Sequence, residues 1–390
     1  MKSIIIALCA FLLVLSGLAG CNAAGPDDVL VVCNSNSPVS MRIAAYYMSK
    51  RGISDSRLVT VKTVDSSASA ANESISPDDY IEQIHKPIAD YLAKHSLVNK
   101  IKYIVLTKGI PFRLSGDPTG GTSGGLSVDS VLTTLGMSNP ISVNLGDKGH
   151  PVVNRYWRSK EPFSHQKYGG YLVTRLDGYT EGDAKALVDR AIAPAPEQRV
   201  ILLDADAKKG LGDAAVQPKS ILNDSGTGVN DVPVSFPDFN ADMIHLSNML
   251  PDKSNTQVVL DKTDSFICIS KPLTVYVSWG SNDGKFNTDV YHNIKFGPRS
   301  LAETAVSSSG RTLLKTTGGQ SLIADLIAQG TAGAKGYVTE PYLVSMASPS
   351  VFIDLYLSGR NLAESFYAGS RFLAWKDIVL GDPLCSLAEK

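Results

Sequence analysis

Cysteine is scarce, with only five in 390 residues. Cys9 and Cys21 fall in or beside the amino-terminal apolar run, which leaves Cys33, Cys268 and Cys385, an odd number scattered far apart. No disulfide framework follows from that spacing. Cys33 and Cys268 lie in or beside apolar runs, where a buried, inert thiol is the ordinary case. A charge excess is also missing, since 37 Lys and Arg stand against 38 Asp and Glu for a net charge of −1. A balanced chain offers no electrostatic case for nucleic acid or for an anionic lipid surface. His85, His95, His150, His165, His245 and His292 show no H-E-x-x-H spacing, so no metal site is legible. No P-loop is present either, and no cofactor is implied. Finally, the apolar run from Ile4 to Leu15 is too short to stand as a stable membrane span.

That short run has a different meaning. Lys2 supplies a positive start, and Leu18, Ala19, Gly20 and Cys21 follow the apolar stretch in the pattern that a lipoprotein signal peptidase cleaves before acylation of the cysteine. The expectation is a signal peptide over 1–20, a tether over 21–27 and a lipid anchor on Cys21. Asn22, where Asp would favour retention, resembles the sorting signal for the outer membrane of a Gram-negative cell.

The rest of the chain alternates short apolar runs with helical patterns. Asp28–Cys33 suits a buried parallel strand, and Ile43, Ala44, Tyr47 and Met48 recur at helical spacing before Gly52 closes the helix. Ser76, Pro77, Asp78 and Asp79 announce a helix through Leu92 that Pro87 kinks. Tyr103–Leu106 is the next strand, Val128 opens a helix, 136–170 reads as an aromatic surface loop, and Tyr171–Leu176 is a strand before a helix capped by Thr180. A linker at 193–198 divides subdomains 28–195 and 196–390. The second half repeats the pattern, with strands at 199–203, 273–279, 301–307, 334–339 and 376–380 and helices at 239–250, 320–329 and 350–358. This order predicts an α/β, three-layer architecture with mostly parallel sheets.

Two motifs fail on context. Gly121–Gly125 reads G-x-S-x-G around Ser123, but glycines and Pro118 surround it where a buried strand would be required, so it reads as a flexible loop. Asp204, Asp206 and Asp213 lack the Gly and bidentate Glu of a calcium loop. Parallel sheets place their sites beyond the carboxyl ends of strands. Lys108, Arg175, Asp177, Trp279, Asp283 and Glu340 are therefore cleft candidates, and Asp129, in SVDSVL at the start of a helix, is a further one. Arg175 and Asp177, two apart on a strand, face one side and suit a structural ion pair. Asp382 in the Gly381–Pro383 turn can bond the backbone two residues on.

Taken together, VVCNSN, KYIVLTKGIPFR, SVDSVL, YLVTRLDG, GYVTEPYL and LGDPL resemble an uncharacterised family of exported bacterial proteins. KYIVLTKGIPF, SVDSVL, LVTRLDGYTEGDAKALVDRAI and GDP are more distantly similar to landmarks of the gingipain-type cysteine peptidases. That resemblance implies a caspase-like fold of two adjacent subdomains. It also implies a catalytic His in a G-H-G-S turn and a Cys after the next strand. Here the turn reads Ser278, Trp279, Gly280, Ser281, and the next strand runs into Ser307, Ser308 and Ser309. Trp cannot accept a proton, and serine without a base is a weak nucleophile.

Three readings follow. The first is a lipid-anchored, peptidase-like scaffold that has lost its dyad and binds a peptide, a glycan or an envelope protein, with Trp279 as a stacking or packing surface. The second is a hydrolase using Ser307 or Ser281 with His292, Asp283 or Glu340, acting on peptide bonds. The third is a structural partner in an envelope assembly with no ligand pocket.

Overall fold

The computed structural model describes residues 24–214, 234–250 and 255–388. Cys21 and the signal peptide lie outside the described residues. In chain order, β1 (Val29–Asn34), α1 (Pro38–Arg51) and β2 (Leu58–Val61) precede β3 (Ser74–Ile75), α2 (Pro77–Tyr80), α3 (Lys86–Lys94), β4 (Tyr103–Thr107) and β5 (Arg113–Leu114). Then follow α4 (Val128–Leu132), β6 (Val152–Val153), α5 (His165–Tyr168), β7 (Leu172–Leu176), α6 (Glu181–Ile192) and β8 (Arg199–Asp204). Next come α7 (Phe236–Met249), β9 (Thr256–Asp261), β10 (Leu273–Ser278), α8 (Thr288–His292), β11 (Phe296–Thr304) and α9 (Ile323–Gln329). The chain closes with β12 (Gly333–Tyr337), α10 (Pro349–Leu357), α11 (Leu362–Ala368), β13 (Phe372–Leu373) and β14 (Asp377–Gly381).

Ten of these strands form one sheet in the order β2-β1-β4-β7-β14-β12-β11-β10-β8-β9. Its ladders are parallel except where β14 runs antiparallel to β12. β14 sits between the halves, meeting β7 at Leu380–Arg175. Strand residues alternate between two buried faces: Val29, Val31, Tyr103 and Val105 belong to one core, and Leu30, Val32, Ile104 and Leu106 to the other. Helices on both faces therefore make three layers, which is why these strands read as unbroken apolar runs.

Local signals act as their chemistry requires. Ser76 accepts the Asp79 N–H at 3.1 Å and Thr180 that of Asp183 at 3.1 Å, each capping its helix. Gly52 ends α1 with φ +66°, a left-handed conformation that costs glycine little. Where a kink at Pro87 is expected, the helix carries a π turn over Ile81–His85, because a proline supplies no N–H to the regular ladder. Asp382 accepts the Leu384 N–H at 3.0 Å as the turn requires, and also binds Tyr47 (2.9 Å) and Arg51 (2.6 Å) from α1.

The reading of 136–170 as surface loop is corrected. Tyr156, Phe163 and Tyr168 are buried there with ring centroids 4.8–5.8 Å apart, and β6 pairs with β13. Large aromatic area removed from water holds an irregular backbone without any helical or strand period. Strand β9 and helix α11 also formed without being read from the sequence.

Candidate functional site

The carboxyl ends of β4, β11 and β12 gather along one edge of the sheet. Lys108, just beyond β4, reaches the Leu313 carbonyl beyond β11, and Thr339, beyond β12, bonds the Gly125 carbonyl in the loop that follows β4. Most of the sequence candidates lie on this edge.

On the amino-terminal half they form one closed knot. Arg175 makes two parallel bonds to Asp129, Nε to Oδ2 at 3.0 Å and Nη2 to Oδ1 at 2.6 Å, and its guanidinium also donates to the Ile110 and Pro111 carbonyls. Arg175 and Asp177 do share a side, yet their separation is 3.7 Å, so Asp129 is the tighter partner. Asp177 instead takes Lys108 Nζ at 3.1 Å, and that ammonium donates again to Gly178 and Leu313 carbonyls. All four residues are at most 3 % exposed. A bidentate, fully bonded and dry cluster has no group left to offer a ligand.

On the carboxyl-terminal half, the turns after β10 and β11 meet. Trp279 is 2 % exposed, edge-on to Phe236 and Phe239, and its indole N–H donates to Asn240 Oδ1 at 2.7 Å. It is a packing element in the interior, the second of the two roles, stacking or packing, that the sequence reading allowed it. Ser281 Oγ accepts the Ser321 N–H at 2.9 Å, and Ser321 Oγ accepts the Ser281 N–H at 3.1 Å. Gln320 then laces the two turns: its Nε2 donates to Asn282 Oδ1 (3.0 Å) and Ser307 Oγ (3.3 Å), and its Oε1 accepts from Ser308 N (3.0 Å) and Oγ (2.6 Å).

No hydrogen bond joins Ser307 or Ser281 to His292, Asp283 or Glu340 among the described residues. His292 is half exposed at the end of α8, facing Asp325 at 3.8 Å. Asp283 is buried and accepts the Lys285 N–H at 2.6 Å; burial foremost, with nearby Asp206, raises its pKa. Glu340 is exposed and contributes its backbone carbonyl to Lys376 Nζ at 2.9 Å. An amide side chain neither takes nor gives a proton near neutrality, so what surrounds Ser307 is a neutral clasp.

At the end of β8, burial and the charges of Asp283, Asp261 and Asp206 push Asp204 up to about 8. Among the described residues no group of three or more His, Cys, Asp or Glu is arranged to hold a metal ion. No described helix is long and apolar enough to cross a membrane.

Gln320, Asn240 and Lys376 were not read from the sequence. Lone amides carry no motif, and the one available clue to Lys376 is its place between Trp375 and an apolar strand.

No family model and no curated protein matches the chain. Among solved structures, the complex of the Porphyromonas gingivalis RgpB pro- and mature domains matches with a TM-score of 0.52 and 13 % identity, over 92 % of this chain and 79 % of that one. A protease structure matches at TM-score 0.47 and 10 % identity over 93 % of this chain and 79 % of that one. The Saccharomyces cerevisiae separase–securin complex matches at TM-score 0.32 and 11 % identity over 54 % of this chain and 14 % of that one. This chain thus has the mixed α/β, caspase-like fold of the gingipains. At such identity the RgpB likeness concerns fold, and function has to be argued from the site.

Proposed function

We propose that this chain is an exported envelope protein, anchored through acyl chains on Cys21 in the outer membrane of a Gram-negative cell. Its peptidase-like position is catalytically silent and serves in binding a peptide, a glycan or a neighbouring envelope protein. The reading rests on the amino-terminal signal, on the gingipain-like fold and above all on one observation. Where the resemblance requires a base and a nucleophile, Trp279 is packed into the core and Ser307 is held by the Gln320 amide.

Activity-based labelling of the full lipoprotein in detergent, with serine- and cysteine-reactive probes and mapping of the modified residue, tests it. Ser281 and Ser307 are expected to label no faster than in a heat-denatured control. Specific labelling of either serine that disappears in His292→Ala would overturn the reading and make this position a hydrolase.

A further inference from the structure

The G-x-S-x-G loop, dismissed on its sequence context, meets a partner that is distant in the chain. Lys376 is fully buried just before β14, and its Nζ donates to Ser123 Oγ at 2.5 Å. The other two acceptors of that ammonium are the Ser123 and Glu340 carbonyls, at 3.2 and 2.9 Å, so all of its partners are neutral. Its backbone is rigidly placed. Trp375 next to it accepts from Ser127 N and donates through its own N–H to Ser130 Oγ, and the Lys376 carbonyl accepts from Val338 N.

The serine side is anchored as well. Thr122 and Ser123 both donate their N–H groups to the Asp147 carbonyl, at 2.8 and 3.1 Å, and Thr339 holds the Gly125 carbonyl at 2.7 Å. Ser123 is half-buried and Gly124 exposed, so the loop meets solvent at the serine. Gly124 has φ +97°, and a Cβ there would lie 2.9 Å from Thr339, so the residue after the serine has to be glycine. The N–H groups of Gly124 and Gly125 make no hydrogen bond among the described residues.

From this arrangement we infer a second site, separate from the peptidase-like position, at which Ser123 is the nucleophile of a serine–lysine acyl transfer. Ser123 Oγ attacks the carbonyl carbon of a small carboxylic ester while its proton passes to neutral Lys376 Nζ. The Gly124 and Gly125 N–H groups are the donors available to the developing oxyanion, the role that the residue after the nucleophile plays in G-x-S-x-G hydrolases. The leaving alcohol departs with the proton now on Nζ, and water then releases the acid from the acyl-serine, its proton returning through Nζ to Oγ. Burial, with Lys148 adding its charge, pushes Lys376 down to about 8, so a usable fraction is neutral near physiological pH. The Tyr342 hydroxyl donates to Asp147 Oδ1 at 3.0 Å, and Lys148 Nζ lies over its ring, so the residue that anchors the serine loop is itself held from a second side. A loop that holds the cation simply as a staple would have the same contacts but no reactivity.

The test is acetylation of the full lipoprotein in detergent by p-nitrophenyl acetate, with mapping of the acetylated residue. The expected result is a burst with the acetyl group on Ser123, absent in Ser123→Ala and slowed at least ~100-fold in Lys376→Arg, which keeps a cation but supplies no base. The wild-type rate should rise with pH through about 8 and level off, since the neutral lysine is the active form. Acetylation of Ser123 no faster than in heat-denatured protein, or a Lys376→Arg rate equal to wild type, overturns the inference. Should Lys376→Arg fail to fold, the wild-type profile decides, and a pH-independent rate at Ser123 overturns it. Acetyl groups on Ser281 or Ser307 would bear on the peptidase-like position alone.

Discussion

Lys108 and Lys376 are both buried at the same edge of one sheet, and they differ in what faces them. Lys108 lies against the Asp177 carboxylate as well as two carbonyls, within a cluster that also holds Arg175 and Asp129. Lys376 faces two carbonyls and a hydroxyl. A buried cation with an opposite charge is committed to structure, because losing either partner strands the other in a low dielectric. One with neutral partners gives up its proton more readily, and that is the property a general base needs.

The sharpest way to break this contrast is at Arg175. Arg175→Met leaves Asp129 buried with its bidentate partner gone, and should cost about 3–5 kcal/mol of unfolding free energy in a denaturant titration. A loss under ~1 kcal/mol would show that the knot is not holding the fold. Lys108→Met should come next, at about 2–4 kcal/mol, with much of the loss recovered when Asp177→Asn is added, since the pair is then replaced by groups that need no counter-charge. Additive losses in that double variant would refute the coupling.

Lys376→Met should change stability least, by under about 1 kcal/mol at pH 7, because its hydrogen bonds are to neutral groups. Its signature is the pH dependence. With the folded value near 8 and an unfolded value of about 10.4, the native state binds fewer protons between these limits, so wild-type stability rises with pH across that window relative to Lys376→Met. A difference that stays flat from pH 7 to 10 would make Lys376 an ordinary charged staple.

Much of the architecture could be read from the chain. The apolar runs of β1, β4, β7, β8 and β10, the caps at Ser76 and Thr180 and the Asp382 turn were legible because each is a local property of consecutive residues. The segment 136–170 was misread because Tyr156, Phe163 and Tyr168 follow no period and are buried only by one another and by distant chain. Lys108, Arg175 and Asp177 were named from strand ends and Asp129 from the SVDSVL motif, but their pairing was not, since Asp129 lies on a helix between two strands and its side chain direction depends on packing. Gln320 and Lys376 carry no pattern at all.

The sequence by itself therefore determined the layered α/β class and the expectations of an amino-terminal export signal and of a missing His–Cys pair, because composition, period and residue identity carry each of these. Tertiary structure alone decided that a single strand, β14, joins both halves into one sheet and that Gln320 closes the turn around Ser307. It also decided that Ser123 meets a lysine 253 positions away. Such contacts depend on hydrogen-bond reach of about 3 Å between side chains whose separation along the chain says nothing of their separation in space.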